Sequence, residues 1–418
     1  MRKMIYSICL CIMSLMYPAC SNDKPGLINE EEIVQGIEVF EPVSVTKTNS
    51  TKLYVHYMPW FESKEVSGSW GMHWTMANKN PDNIDDSGKR EIASHFYPLI
   101  GPYDSSDNVV LEYHLLLMKY AGIEGVLVDW YGSRSSGGDG ITKATEALLN
   151  AAERIGMEIA IVYEDRNNLD GATSADQMVD WGKDDMKYLE ENFFNRKCYA
   201  KVDNKPLLMC FGPIALNSSD YSDSPSKWTK IFSVLNTKPY FMVLYGKAGN
   251  AKDDNNDNVS SEFTWVDAGN SSFYPGLAEK YGKYMASAYP GFWDYYEEGG
   301  WGSSINNIPY RDGDELKEQL QAVKDNNAPI LQLVTWNDFG EGTQIEPTQE
   351  DQYKYLNIIQ SFAGVSYNTS ALEQIYKYYT LKKQYKNDAD IQKQLLQTYY
   401  YLISLQNDKA KKILDEIK

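Results

Sequence analysis

From Lys52 onward the chain alternates between short apolar runs and longer stretches whose apolar residues recur every three or four positions. Eight runs have the length and β-branched content of strands: 53–60, 125–130, 158–164, 206–211, 240–245, 262–266, 285–290 and 330–336. Between most of them the spacing predicts helices, at 109–121, 141–155, 174–193, 226–235, 275–285, 313–326 and 353–363. Gly122 and Gly156 stand where C-caps belong. Strands that are apolar throughout, each followed by a helix, imply a parallel sheet covered on both sides. Eight such units imply a closed (β/α)8 barrel, the TIM barrel, rather than an open sheet. An open doubly wound sheet is the alternative, but no Gly-x-Gly-x-x-Gly follows the first strand.

Two insertions interrupt the pattern. The connection 61–108 is long and carries Trp70, His73 and Trp74. The segment 246–261 is polar, and its Asp/Asn run 252–258 loosely resembles a calcium loop. Counting from Asp253, position 6 is Asn258 rather than Gly and position 12 is Thr264 rather than Glu, so we read it as a solvated turn. Beyond Asp351 the chain is helical to its end. Stretches 372–386 and 389–406 form an amphipathic pair with a further turn to 418, a C-terminal helical extension that caps the barrel or binds a partner.

The first residues read as a targeting segment. Arg2 and Lys3 precede an apolar stretch, 4–17, that is short for a membrane span. Tyr17-Pro18-Ala19-Cys20 follows, with polar Ser21, Asn22 and Asp23. A small residue directly before Cys resembles a bacterial lipobox, which implies lipidation at Cys20; Tyr17 departs from the usual aliphatic residue. Simple cleavage and an uncleaved anchor are the alternatives. The expected organisation is a lipoprotein signal over 1–20, a polar spacer over 21–50, the barrel over 51–365 and the helical extension over 366–418. The expected location is the cell envelope of a Gram-negative bacterium, on its outer membrane, facing periplasm or exterior, with membrane contact through the N-terminal lipid only.

Composition narrows the ligand. The 418 residues carry a net charge of -18, which disfavours nucleic acid and would repel sulfated or uronate polymers but not a neutral glycan. Aromatic residues make up 13%, with 32 Tyr and 10 Trp; such rings pack against the C–H faces of sugars, although a Tyr-rich surface is an equally simple account. Of five Cys, only Cys198 and Cys210 fall in the globular part. Cys210 lies in an apolar run and reads as a buried small hydrophobe rather than half of a disulfide. No Cys/His spacing suggests a metal site, and no organic cofactor is implied.

In such barrels the site lies at the C-terminal ends of the strands. Those ends deliver His56, Tyr57 and Trp60; Asp129-Trp130-Tyr131-Gly132; Glu164-Asp165-Arg166; Trp265 and Asp267; Phe292-Trp293-Asp294; and Trp336-Asn337-Asp338-Phe339-Gly340-Glu341-Gly342-Thr343-Gln344-Ile345-Glu346-Pro347. Cleaving a glycosidic bond needs a carboxylic acid kept neutral to protonate the leaving oxygen, and a second carboxylate as base or nucleophile. Asp338 and Glu341, three residues apart on a Gly-containing turn, suit that pair. An isolated Asp-x-x-Glu would more simply brace a loop.

The surrounding residues change the balance. Asn337 and the run Glu341-Gly342-Thr343-Gln344-Ile345-Glu346-Pro347 resemble the signature of glycoside hydrolase family 99, the endo-α-mannosidases and endo-α-mannanases. Tyr57-Met58-Pro59-Trp60, Trp70-x-x-His73-Trp74, Asp129-Trp130-Tyr131-Gly132 and Pro290-Gly291-Phe292 add to it, so that the resemblance covers about 53–363. Asp338 stands where family 99 has Glu, and Phe339-Gly340 where it has Trp-His. The opening Trp336-Asn337-Asp338 looks more like family 71, the α-1,3-glucanases. The resemblance implies Glu341 as general acid. It implies Asp338 either as the carboxylate that deprotonates the sugar 2-hydroxyl to give an epoxide-like intermediate, or as a base acting on water.

Substrate contact is expected from Tyr57, Trp60, His73, Trp74, Asp129, Trp130, Tyr131, Glu164, Trp265, Trp336, Asn337, Gln344 and Glu346. Asp129 and Glu164 could instead be rim ion pairs, Glu346 could simply hold the turn, and Trp265 and Trp293 could be core. The expected function is an exported glycoside hydrolase, probing α-mannan or α-glucan from within the chain. The alternatives are a glycan-binding lipoprotein that has lost turnover, and an assembly lipoprotein that works through its C-terminal helices.

Overall fold

A computed structural model describes residues 36–134, 138–169, 171–216, 227–252, 257–267 and 269–417. The signal segment with Cys20, the first half of the spacer, and the centre of the Asp/Asn-rich turn at 253–256 lie outside the described residues.

Eight parallel strands form the barrel: β1 Lys52–Tyr57, β2 Gly125–Trp130, β3 Glu158–Tyr163, β4 Lys205–Cys210, β5 Tyr240–Leu244, β6 Ser261–Phe263, β7 Met285–Ala288 and β8 Ile330–Leu333. Each pairs with its successor, β1 pairs with β8, and β3 pairs with β4, so the sheet closes. All eight expected strands exist. β2 ends where expected and the other seven end one to three residues early, because the last apolar residues of those runs turn into the rim. β2 is buried along its whole length, as strands between core and helices must be.

Helices α1 Asn108–Tyr120, α2 Gly138–Ile155, α3 Ala175–Leu189, α4 Lys227–Phe232, α5 Tyr274–Tyr281, α6 Asp314–Asp325 and α7 Lys354–Ala363 form the outer layer. Only a 3-10 turn, Ala248–Ala251, lies in the described part of the β5–β6 connection. Asp107 caps α1 by accepting from the Val109 amide at 2.8 Å. Gly122 ends it at φ +82, where a Cβ would lie 2.8 Å from Ala363 Cβ and from Val365 Cγ1.

α1 is buried from Val110 to Tyr120, not on one face alone. One side meets the barrel and the other is covered by α8 Thr369–Gln384, α9 Ala389–Ile403 and α10 Asn407–Glu416. Tyr379 packs on Tyr113 with centroids 4.9 Å apart, Tyr378 and Lys382 bind Glu112 at 3.0 and 2.8 Å, and Tyr120 donates to the Leu402 carbonyl at 2.9 Å. A helix apolar all round needs a second cover, and the C-terminal helices supply it.

Residues 36–51 run as a strap across the N-terminal end of the barrel. The Val43 amide donates to Ile403 O at 3.0 Å, Phe40 packs on Tyr401, and the Thr48 and Asn49 amides both reach Ala363 O. The mouth at the opposite end carries the site. Cys198 and Cys210 are buried free thiols.

Candidate active site

The chain leaves β8 and forms a loop pinched at its neck. The Thr335 amide donates to Thr343 O and the Ile345 amide to Thr335 O, both at 3.0 Å, and the two Thr hydroxyls lie 3.0 Å apart. Asp338 and Glu341 stand on this loop. The Asp338 amide donates to Thr335 Oγ1 at 2.8 Å, and Asp338 Oδ1 accepts the Glu341 amide at 3.0 Å. From the other side the Trp293 amide donates to Glu341 O at 3.0 Å and the Tyr295 amide to Gly340 O at 2.8 Å. Gly342 allows this close approach: its φ is +69, and a Cβ there would lie 2.6 Å from Trp293 O.

A cavity of about 260 Å³ opens above the loop, and both carboxyls line it together with Asp129 and Glu164. Trp60, His73, Tyr131, Tyr296 and Trp301 form one aromatic wall; Phe211 and Trp265 form the other, with His56 against Trp265. Trp60 stacks on His73 at 4.0 Å, and Trp301 meets His73 edge-on. No Lys or Arg lines the cavity among the described residues.

Crowding four carboxyls into a dry cleft makes ionisation costly. Burial, and then the charge of Asp338, raise Glu341 to about 8, although the Tyr296 hydroxyl donates to its Oε1 at 3.0 Å. Burial raises Asp338 only to about 6, because the Glu341 and Gly340 amides point at it. Burial raises Glu164 to about 7, and Asp129 well above the carboxylate range. Burial lowers His56 and His73 to about 3, so both rings are neutral. Near pH 7 the loop therefore presents a proton donor at Glu341 beside an acceptor at Asp338, the division of labour that acid–base cleavage requires.

Of the residues expected to touch substrate, Trp60, His73, Asp129, Tyr131, Glu164 and Trp265 line the cleft with Asp338 and Glu341. Seven do not. Tyr57 and Trp130 directly follow His56 and Asp129, and on a strand neighbours face opposite ways. Tyr57 therefore points outward to His114, and Trp130 to Tyr188. Trp74 is buried behind the wall, donating to Tyr103 O at 2.8 Å. Trp336 packs against His114. Asn337, Gln344 and Glu346 are fully buried behind the loop rather than in the cleft.

His56, Met58, Met76, Phe211, Tyr296 and Trp301 line the cleft without having been assigned to it. Strand alternation would have found Phe211, two residues beyond the buried Met209. Tyr296 and Trp301 arrive on a loop after β7 that has no local signature. Trp293 stacks on His95 at 3.7 Å, outside the cleft.

A barrel with two carboxyls on one loop, between aromatic walls at its C-terminal mouth, has the equipment that glycoside cleavage needs. The profile of glycosyl hydrolase family 99 matches residues 48–240. The human glycoprotein endo-alpha-1,2-mannosidase-like protein is 24% identical over 335 residues, covering 70% of this chain and 68% of the relative. Mouse glycoprotein endo-alpha-1,2-mannosidase is 21% identical over 324 residues, covering 70% and 67%. Among solved structures, the GH99 endo-alpha-mannosidase from Bacteroides thetaiotaomicron shares the fold, with a TM-score of 0.58, 19% identity, and coverage of 78% of this chain and 97% of that one. The chain is a glycoside hydrolase similar in sequence to family 99.

Proposed function

We propose that this is an exported, lipid-anchored endo-glycosidase acting on a neutral α-linked polysaccharide, α-mannan before α-glucan, with Glu341 as general acid and Asp338 as base. The single observation that carries the reading is the pair on its pinched loop, both carboxyls in one cleft with Glu341 held at about 8 and Asp338 at about 6. Glu341 protonates the glycosidic oxygen as the bond to the anomeric carbon breaks. Asp338 takes a proton either from the sugar 2-hydroxyl, whose oxygen then closes on the anomeric carbon, or from a water that attacks it directly. The first route returns the anomer of the substrate and the second inverts it.

His56 Nδ1, Trp60 Nε1 and Asp129 Oδ2, on residues that line the cleft, are buried without a hydrogen-bond partner among the described residues. A cleft with four carboxyls, and no Lys or Arg among its described lining residues, favours an uncharged glycan. The mannosidase relatives favour α-mannan, and the Ala19-Cys20 junction supports export with a lipid on Cys20.

A reducing-end assay of the chain from Ser21 onward on yeast α-mannan and α-1,3-glucan tests this. Turnover of one polymer should disappear in Glu341→Gln and in Asp338→Asn, and the anomer released selects the route. The presence of Asp338 where family 99 carries Glu favours one second reading, a glycan binder without turnover. Tight binding of one polymer without hydrolysis would establish that instead.

A further inference from the structure

Behind the loop, on the side away from the cleft, lies a chain of buried polar groups. Glu346, 1% exposed, accepts the Tyr103 hydroxyl at 2.7 Å on Oε2, and its Oε1 lies 3.1 Å from His114 Nε2. His114 Nδ1 in turn lies 3.2 Å from the Tyr57 hydroxyl. The Tyr103 oxygen accepts from Asn337 Nδ2 at 3.0 Å. Asn337 then grips the backbone of Met58 at both ends: Nδ2 donates to Met58 O at 2.9 Å, and Oδ1 accepts the Met58 amide at 2.8 Å.

The two ends of this chain belong to opposite walls of the site. Asn337 directly precedes Asp338. Met58 lies on the continuation of β1 and lines the cleft, two residues before Trp60. The backbone carbonyl of Tyr103, rather than its hydroxyl, accepts from the Trp74 indole, so the same residue also holds the segment carrying the adjacent His73. The direction of each bond follows from one group. A carboxylate only accepts, so the Tyr103 hydroxyl must donate to Glu346. Its oxygen is then free to accept from Asn337 Nδ2, the end of the amide that the Met58 carbonyl also requires. Burial, and then the Glu346 charge, raise Tyr103 well above the ordinary phenol value, so the proton it donates stays on it.

We propose that Glu346 is a positioning residue for hydrolysis, acting through Tyr103 and Asn337 to lock the Asp338–Glu341 loop against the β1 wall. It reaches no substrate. An amide in its place could donate to Tyr103 as well as accept from it, so the hydroxyl would no longer be held with its oxygen open to Asn337. Asn337 would keep its paired contacts with Met58 and lose its tie to Tyr103, and the loop would be held less firmly against the wall. The inference rests on the glycosidase reading given above.

The test compares wild type, Glu346→Gln, Tyr103→Phe and the double variant. Each single change should lower kcat about 10- to 100-fold, the loss a displacement of roughly 1 Å produces. KM on yeast α-mannan should stay within about threefold, because ground-state sugar contacts are kept. The double variant should be within about twofold of the worse single, since both changes break one chain. Hydrogen exchange should quicken in peptides spanning Met58 and Asn337, with the other barrel strands unchanged.

Folded single variants with kcat near wild type, losses that multiply in the double, or exchange that quickens throughout the barrel would each overturn the proposal. Should Glu346→Gln fail to fold, Tyr103→Phe, which loses only a hydroxyl, decides it. If wild type cleaves neither α-mannan nor α-1,3-glucan, the glycosidase reading falls, and the local exchange pattern still tests the lock.

Discussion

Replacing Glu341 with Gln should stabilise the protein increasingly as pH rises from 4.5 to about 8, and fully above that. In the fold this carboxyl is moved from 4.5 to about 8. At ~1.4 kcal/mol per tenfold change in proton affinity, that bounds the cost of ionising it at about 5 kcal/mol. Water reaching the partly exposed carboxyl lowers this, and ~2–3 kcal/mol is a working figure. The sign is fixed by linkage. Below pH 4.5 the group is protonated in both folded and unfolded chains, so wild type and variant should match. Between 4.5 and about 8 only the folded chain holds the proton, so wild-type stability falls as pH rises. Above about 8 the full cost is present, and Gln escapes it while still accepting the Tyr296 hydroxyl. For a chain of this length the difference is about 3–5 °C in Tm at pH 8.5. Reversible thermal melts of both proteins at pH 4.5 and 8.5 measure it. Equal melting differences at the two pH values, or a variant that melts lower at 8.5, would refute the cause assigned to the raised carboxyl.

Three further outcomes follow from the same geometry. The pH profile of kcat/KM should be bell-shaped, losing activity below about 6 as Asp338 gains its proton and above about 8 as Glu341 loses its own. Trp265→Ala removes one wall of the cleft and should weaken binding of α-mannan oligosaccharides to the Glu341→Gln protein about tenfold, read by calorimetry. Gly342→Ala sets a methyl 2.6 Å from Trp293 O at φ +69, and it should lower kcat and Tm together, seen in the same assay and melt.

The barrel was legible because its strands are buried on both faces, and a buried parallel strand leaves an unbroken apolar run. β2 and β3 begin at the expected residues for that reason. The carboxyl pair proposed as acid and base could be picked out because its loop is a contiguous motif. Direction was not. Tyr57 and Trp130 sit beside true cleft residues, and only the register of the barrel says which neighbour turns inward. Asn337 and Glu346 were assigned to sugar because they belong to the same motif as the acid; the structure gives them a place behind it. Tyr296 and Trp301 were missed since a loop without periodicity conceals where its side chains go. The covering of α1 by the last three helices was half visible: Leu115-Leu116-Leu117-Met118 announces a helix without a wet side, but not what lies over it.

The strap fixes how such a molecule would stand on a surface. Residue 36 lies beside α9, and the chain enters β1 from the closed end of the barrel. On the proposed lipidation of Cys20, the fifteen residues 21–35 would reach at most ~50 Å. Residue 36 stands at the floor of the molecule, so on that proposal the mouth would lie on the side away from the attachment. A glycan too large to approach the membrane could still lay an internal stretch across that opening, and an enzyme tied down this way would graze on long chains instead of waiting for fragments.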